Sequence, residues 1–202
     1  EYELYIKEQL PSESPVMFGL HPNAEIEYLS NEAEMLFTMI RTLRGAASGS
    51  HSTTREEKVA LRIDELLTTL PENFNMAELN NDADKKNPFV SVVLQECERM
   101  NILLSELRRS LRELQQGING ELTISEQMDK VFNAIDLDQV PETWTKLAYP
   151  SLKSLAFWYE DLLKRYAQLE EWSSEMITPR VVWVAGLFNP MSFLTAIMQA
   201  TA

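Results

Sequence analysis

The sequence predicts an all-α protein, a multi-helix bundle with long antiparallel helices, and three observations support this. Residues 93–114 hold apolar side chains at alternating spacings of four and three without a break. A second stripe of the same kind occupies residues 152–169. Nine prolines and six glycines in 202 residues are too few for a disordered or repetitive polymer. The length allows one domain, or one and a half, with a real core.

Taken in order, Leu4, Tyr5, Ile6 and Leu10 read like the end of a helix already under way, and the chain starts without Met. It is therefore expected to be a piece of something longer. "PSESP" is a loop, and "FGLHPNAEIEYL" crowds a glycine, a histidine, a proline and an asparagine ahead of a charged helical run. From Ala24 the apolar positions Leu29, Ala33, Leu36, Phe37, Ile40 and Leu43 recur at helical spacing up to Gly45. "GAASGSHSTTR" is a small, polar loop. Val59, Ile63, Leu66, Leu67 and Leu70 mark the next helix, which Pro71 ends. Glu72–Lys86 reads as a polar connection with one helical turn at "MAEL".

Asn87-Pro88 is a helix start, Asn capping and Pro at the first helical position. Behind it Val93, Cys97, Met100, Leu104, Leu107, Leu111 and Leu114 form an a/d seam of three heptads, with Gly117 placed as its C-terminal cap. A helix with one such face needs partners. Thr123 and Glu126 have capping-box spacing ahead of Met128, Val131, Phe132 and Ile135. "VPETW" starts a short helix at Pro141 with Trp144 as a wedge. Pro150 then introduces the second stripe, Leu152, Leu155, Tyr159, Leu162, Tyr166 and Leu169. "PRVVWVAGLF" is β-branched and apolar without helical period, so a short buried strand or extended segment is expected near 181–185. Asn189-Pro190 repeats the helix start, followed by Phe193, Leu194, Ile197 and Met198. The sequence stops at Ala202 without a cap or a charged end, which reads as a second cut.

The composition restricts partners. A net charge of -13 opposes both a nucleic-acid surface and an anionic membrane surface. No run of eighteen apolar residues occurs, and the N-terminus lacks the features of a signal peptide. The single cysteine, Cys97, excludes an internal disulfide and fits a reducing compartment.

Motifs of chemistry are missing. "GAASGSHST" has the glycines of a phosphate loop but no lysine and no strand leading into it. His21 and His51 are thirty residues apart and make no zinc set with one cysteine. Cys97 lies on the apolar seam, a small core residue rather than a nucleophile. Glu25/Glu27, Glu56/Glu57 and Glu170/Glu171 point to different helix faces and read as solvated charge. Arg108, Arg109 and Arg112 interleave with Glu106 and Glu113, so intrahelical ion pairs are expected, with docking of an acidic neighbour as the alternative. Trp144, Trp158, Trp172 and Trp183 read as core or interface anchors. Residues alone thus give a helical interaction module. A free-standing scaffold and an enzyme using only carboxylates and arginines stay open.

Several stretches resemble the C-terminal part of a dynein heavy chain: "SPVMFGLHPNAEIEYLSNEAEMLF", "NPFVSVVLQECERMNILLSELRRSLREL" with "GINGELTIS", "VPETWTKLAYPSLKSLAFWYEDLLKR" and "VWVAGLFNPMSFLTAIMQ". They follow in consistent order over nearly the whole sequence and are most similar to the axonemal, outer-arm beta type. The resemblance implies a part of an ATP-driven, minus-end-directed microtubule motor in the axoneme of a cilium or flagellum. It divides the sequence into the end of an AAA+ helical lid and joint (1–45), a loop, helix and connection (46–86), and the helical first part of the C-terminal domain (87–202). Implied partners are the other AAA+ modules of the same heavy chain and other dynein chains, with the microtubule reached only through distant parts. No cofactor is expected in this stretch, ATP and Mg²⁺ belonging to the parent motor. Gly19, Pro22 and Asn23 would then be the joint, with Asn23 as the cap. The positions of a lid sensor arginine carry His21, Asn23 and Ala24, which argues against nucleotide sensing. The stretch would brace the ring, held together by its seams and docked by Trp183 and Phe188 or the arginine trio.

Overall fold

The computed structural model describes residues 22–47, 54–82 and 87–201. Two compact units occur, residues 1–51 and 52–202. In the first, α1 spans Pro22–Ala47. Proline opens it at the first helical position, where a missing N–H costs nothing. Asn23 therefore stands inside the first turn rather than at the cap, and Gly19 lies outside the described residues. The helix also passes Gly45 by two residues. Of its predicted stripe, Leu29, Leu36, Phe37 and Ile40 are all more than half exposed.

The second unit holds α2 (Arg55–Thr69), α3 (Met76–Asp82), α4 (Pro88–Ile118), α5 (Glu126–Asp136), α6 (Glu142–Thr145), α7 (Leu155–Glu175), a 3-10 turn (Val184–Gly186) and α8 (Pro190–Thr201). No strand forms among the described residues. Helix α4 is the axis: α2, α3, α5, α6, α7 and α8 all pack against it. All seven predicted seam residues, Val93 to Leu114, are completely buried, and Leu103 joins them.

Helices α4 and α7 run antiparallel, as cross-contacts show. Ser173 of α7 lies beside the Cys97 thiol. Asn101 holds Phe74, which stacks on Tyr166 with ring centroids 4.6 Å apart. Ser110 accepts the indole N–H of Trp144 at 2.9 Å, and Trp144 stacks on Trp158 at 6.0 Å. As the α4 number rises, the partner number on α7 falls. Tyr159 adds α2 to this pair by donating to the carbonyl of Leu66 at 2.9 Å.

Residues 54–82 belong to the same core, through Val59, Ile63, Leu66 and Leu70. The expected division at residue 86 therefore does not coincide with a break in packing. Local signals place the helix ends. Thr54 and Glu57 form a capping box on α2, and the side chain of Asn87 accepts from Phe89 N–H at α4. For α5 the cap is Ser125, not Thr123: Met128 at the third position returns its sulfur to the Ser125 N–H. Gly117 does not end α4. It is buried inside the last turn, where an added Cβ would lie 2.5 Å from the Met128 methyl, and Gly120 at φ 78° supplies the left-handed turn.

Asp138 fixes the start of α7. Its φ is 54°, a conformation Asp tolerates better than most residues. From there its carbonyl accepts Leu155 N–H at 2.9 Å and its carboxylate accepts Ala156 N–H at 3.2 Å. Arg62 of α2 pairs with the same carboxylate at 3.2 Å. Leu152 lies in the approach to this joint and is about half exposed, so the second stripe begins at Leu155 rather than Leu152.

Candidate functional site

A cluster of buried polar side chains on α4 and α7 holds the strap between α7 and α8. Glu96, Asp161 and Arg165 are each less than a tenth exposed, among predominantly apolar neighbours. Burying charge is costly unless every charge is paired. Here the pairing goes largely to backbone. Both carboxylate oxygens of Glu96 are used: Phe188 N–H donates at 2.6 Å and Asn189 N–H at 2.8 Å, just ahead of Pro190, where α8 starts. A carboxylate at a helix N-terminus also meets the positive end of its dipole.

Arg165 works from α7. It donates to the Ala185 carbonyl at 3.0 Å and meets Asp161 at 3.4 Å. Its guanidinium stands 3.4 Å from the Tyr149 ring centroid and 4.8 Å from that of Trp183, a cation between two aromatic faces. Lys153 neutralises the other Asp161 oxygen at 2.9 Å. One turn further on, the Gln168 amide accepts Trp183 N–H at 2.7 Å and donates to the Trp183 carbonyl at 3.3 Å. Glu96, Arg165 and Gln168 thus hold backbone groups all along residues 183–189. No strand forms near 181–185: side chains hold the Trp183 and Ala185 backbone groups, and Val184–Gly186 make a 3-10 turn. Val181 is exposed and Leu187 is buried.

Electrostatics follow the packing. Burial pushes the Glu96 carboxyl above its ordinary value, although both backbone N–H bonds and the charges of Arg99 and Arg165 pull the other way. Burial likewise pushes the Cys97 thiol up to about 12, with the Glu96 charge adding to it. Cys97 is thus an inert core residue. Tyr149 is raised for the same reason, and its hydroxyl donates to the Trp158 carbonyl at 3.2 Å.

The residues expected to dock a partner are mostly engaged inside the bundle. Arg108 donates to Asn73 at 2.8 Å and to the Pro71 carbonyl at 2.7 Å, anchoring the α2–α3 connection. Arg109 is shared between Glu106 and Glu113 within α4. Phe188 packs edge-on against Tyr149 and is half-buried. Arg112 and part of Trp183 are exposed. Sequence reasoning missed Glu96, Arg165 and Gln168. Glu96 precedes the seam residue Cys97, and only its pairing with the Asn-Pro start 92–93 residues away could have marked it.

Among the described residues, no three or more His, Cys, Asp and Glu side chains gather in a metal-holding group. None of the described helices is long and apolar enough to cross a membrane. The arrangement is suited to holding a polypeptide segment in register. The family model for the C-terminal domain of dynein heavy chains matches residues 30–202. The ciliary dynein beta chain of Tripneustes gratilla is 50% identical over 204 residues, covering 100% of this sequence and 5% of that protein. Human dynein axonemal heavy chain 17 gives the same identity and coverages. The flagellar outer-arm dynein beta chain of Chlamydomonas reinhardtii is 47% identical over 202 residues, covering 98% of this sequence and 4% of its own.

Proposed function

This chain belongs to the dynein heavy-chain family through its C-terminal domain, and on that premise we propose that it braces the AAA+ ring of an axonemal, ATP-driven, minus-end-directed microtubule motor. It carries no catalytic step of its own. The observation behind this reading is the single axial helix α4, whose seam is completely buried and against which six other helices pack. Such a body moves as a unit, because a close-packed core does not deform continuously. A rigid body joined to one module and resting on others would couple their movements through the ATP cycle.

The buried cations do not fit a phosphate site. Arg165 and Arg108 are turned onto protein carbonyls and carboxylates. This supports the reading in which ATP and Mg²⁺ are bound by other modules of the motor. The proposed setting is the axoneme of a cilium or flagellum, with the other AAA+ modules of the heavy chain and the other dynein chains as partners.

The test is a cavity in the axis. Leu107→Ala in the full heavy chain removes a completely buried side chain and should cost about 2–5 kcal/mol of local stability. Hydrogen exchange should show a loosened bundle, with microtubule-stimulated ATPase and gliding velocity reduced. A loosened bundle with both activities unchanged would refute the bracing role. The more severe Leu104→Asp, which buries a charge, should prevent the region from folding.

A further inference from the structure

Helices α2 and α7 both pack on the axis α4, and much less on each other. Between them runs a cleft of about 240 Å³. Leu66, Ala156, Leu163 and the Tyr159 ring make its walls apolar. Glu65 from α2 and Glu160 from α7 also line it, with side chains 67% and 59% exposed. Sites for whole small molecules run at roughly 300–1,000 Å³, so this volume suits a single side chain better.

The polar groups of the cleft are short of protons. Tyr159 Oη donates to the Leu66 carbonyl at 2.9 Å, Thr69 Oγ1 donates to the Glu65 carbonyl at 2.8 Å, and the two oxygens lie 3.0 Å apart. A hydroxyl has one proton and two lone pairs, so two protons serve three contacts and acceptor capacity is left over. The two carboxylates only accept. Arg62, the cation of the lining, is turned to Asp138 at 3.2 Å and to Glu65 at 3.7 Å. Glu160 meets Lys164 at 2.8 Å, but an exposed pair of this kind is weak and exchanges for a better partner.

An apolar slot bordered by acceptors fits an aliphatic stem that ends in a cation. Arginine suits it better than lysine, because a guanidinium has five donors and is more weakly hydrated than an ammonium. A net charge of -13 favours the approach of a basic segment. We propose that the α2–α7 cleft is a docking site for an arginine side chain of a different polypeptide, its stem along Leu66, Leu163 and the Tyr159 ring and its guanidinium on the acceptors of Thr69, Glu65 and Glu160. The site is independent of the bracing role, which rests on the buried seam of α4.

The experiment is photocrosslinking in the assembled, ATPase-active motor complex with Phe157→p-benzoylphenylalanine. Phe157 is 65% exposed, adjoins Ala156 and lies one turn before Glu160. Mass spectrometry of the digested adduct is expected to find an arginine-containing peptide of another polypeptide. Glu65→Gln with Glu160→Gln should cut the adduct by about tenfold, the loss of a charge-assisted bond. Both side chains are exposed, so hydrogen exchange of residues 155–163 should stay unchanged. Competition separates guanidinium recognition from any loosening of the helices: N-acetylarginine methylamide should displace the adduct at about tenfold lower concentration than the neutral citrulline analogue. An adduct within the same heavy chain, an adduct peptide without arginine or no adduct would overturn the proposal. So would equal competition by the two analogues.

Discussion

Replacing Glu96 by glutamine tests whether the strap and α8 are held by one carboxylate. Both oxygens accept backbone N–H groups, at 2.6 and 2.8 Å. Glutamine keeps the volume and one acceptor but turns an NH₂ donor toward the second N–H. A hydrogen bond to a charged group contributes roughly 1.5–3 kcal/mol. Part of that is offset at neutral pH by the cost of burying the carboxylate, so a net loss of about 1.5 kcal/mol is expected, about tenfold in local opening. Hydrogen exchange of peptides covering 184–201 in the heavy chain reads this directly. The pH dependence supplies a second criterion. With α8 docked the Glu96 carboxyl is raised by burial, so the docked state binds its proton more tightly than the opened one. Its contribution is full below the ordinary carboxylate value and is lost as pH rises through the docked value. The opening free energy of the native protein should therefore increase as pH falls through that window, and that of Glu96→Gln should not follow. Equal protection of 184–201 in both proteins, or identical pH slopes after correction for intrinsic exchange, would refute the argument.

Asp138→Ala should weaken the start of α7 by about 2 kcal/mol, combining a lost cap with a left-handed residue that alanine tolerates poorly. Asp138→Asn should cost less than about 1 kcal/mol, and exchange of peptides around residues 155–160 would separate the two. Gly120→Ala should cost about 1 kcal/mol through backbone alone, because nothing lies within 4 Å of an added Cβ. Thermal shifts can compare it with Gly117→Ala, where the contact is a flexible methionine end and a helix-propensity gain opposes the clash. Cys97, with its thiol at about 12 and no exposure, should resist iodoacetamide at about pH 8 in the native protein and react on denaturation, as read by mass shift.

What could be read in the sequence was set by periodicity. The α4 seam survives because heptad spacing puts Val93 to Leu114 on one face whatever the neighbours are. Trp144 was legible as a wedge because a short helix after Pro141 cannot expose an indole at little cost. Where one residue decides, the pattern had less to offer. Thr123 and Ser125 are equally plausible caps until Met128 is seen to supply the return bond. Leu152 fits the stripe by arithmetic, but Asp138 reaches across to start the helix at Leu155. The strap was illegible for another reason. Its β-like composition was met by Glu96, Arg165 and Gln168, whose long-range roles leave no local trace. Arg108 was illegible in the same way, since it leaves the intrahelical pairing that Arg109 keeps and serves a connection thirty-odd residues upstream.

Synthesis on the ribosome gives the Glu96 bond a timetable. Its two N–H partners follow 92 and 93 residues later, and Tyr159 follows its acceptor Leu66 by 93. At translation speeds of about 5–20 residues per second, the wait is roughly 5–20 s. For most of it the apolar seam of α4 has emerged without α7, and for all of it without α8 and without the two N–H partners of the carboxylate. Nascent polypeptides of this region are therefore vulnerable to wrong partners until α8 is made, and chaperone occupancy should fall when residues 188–201 clear the ribosome.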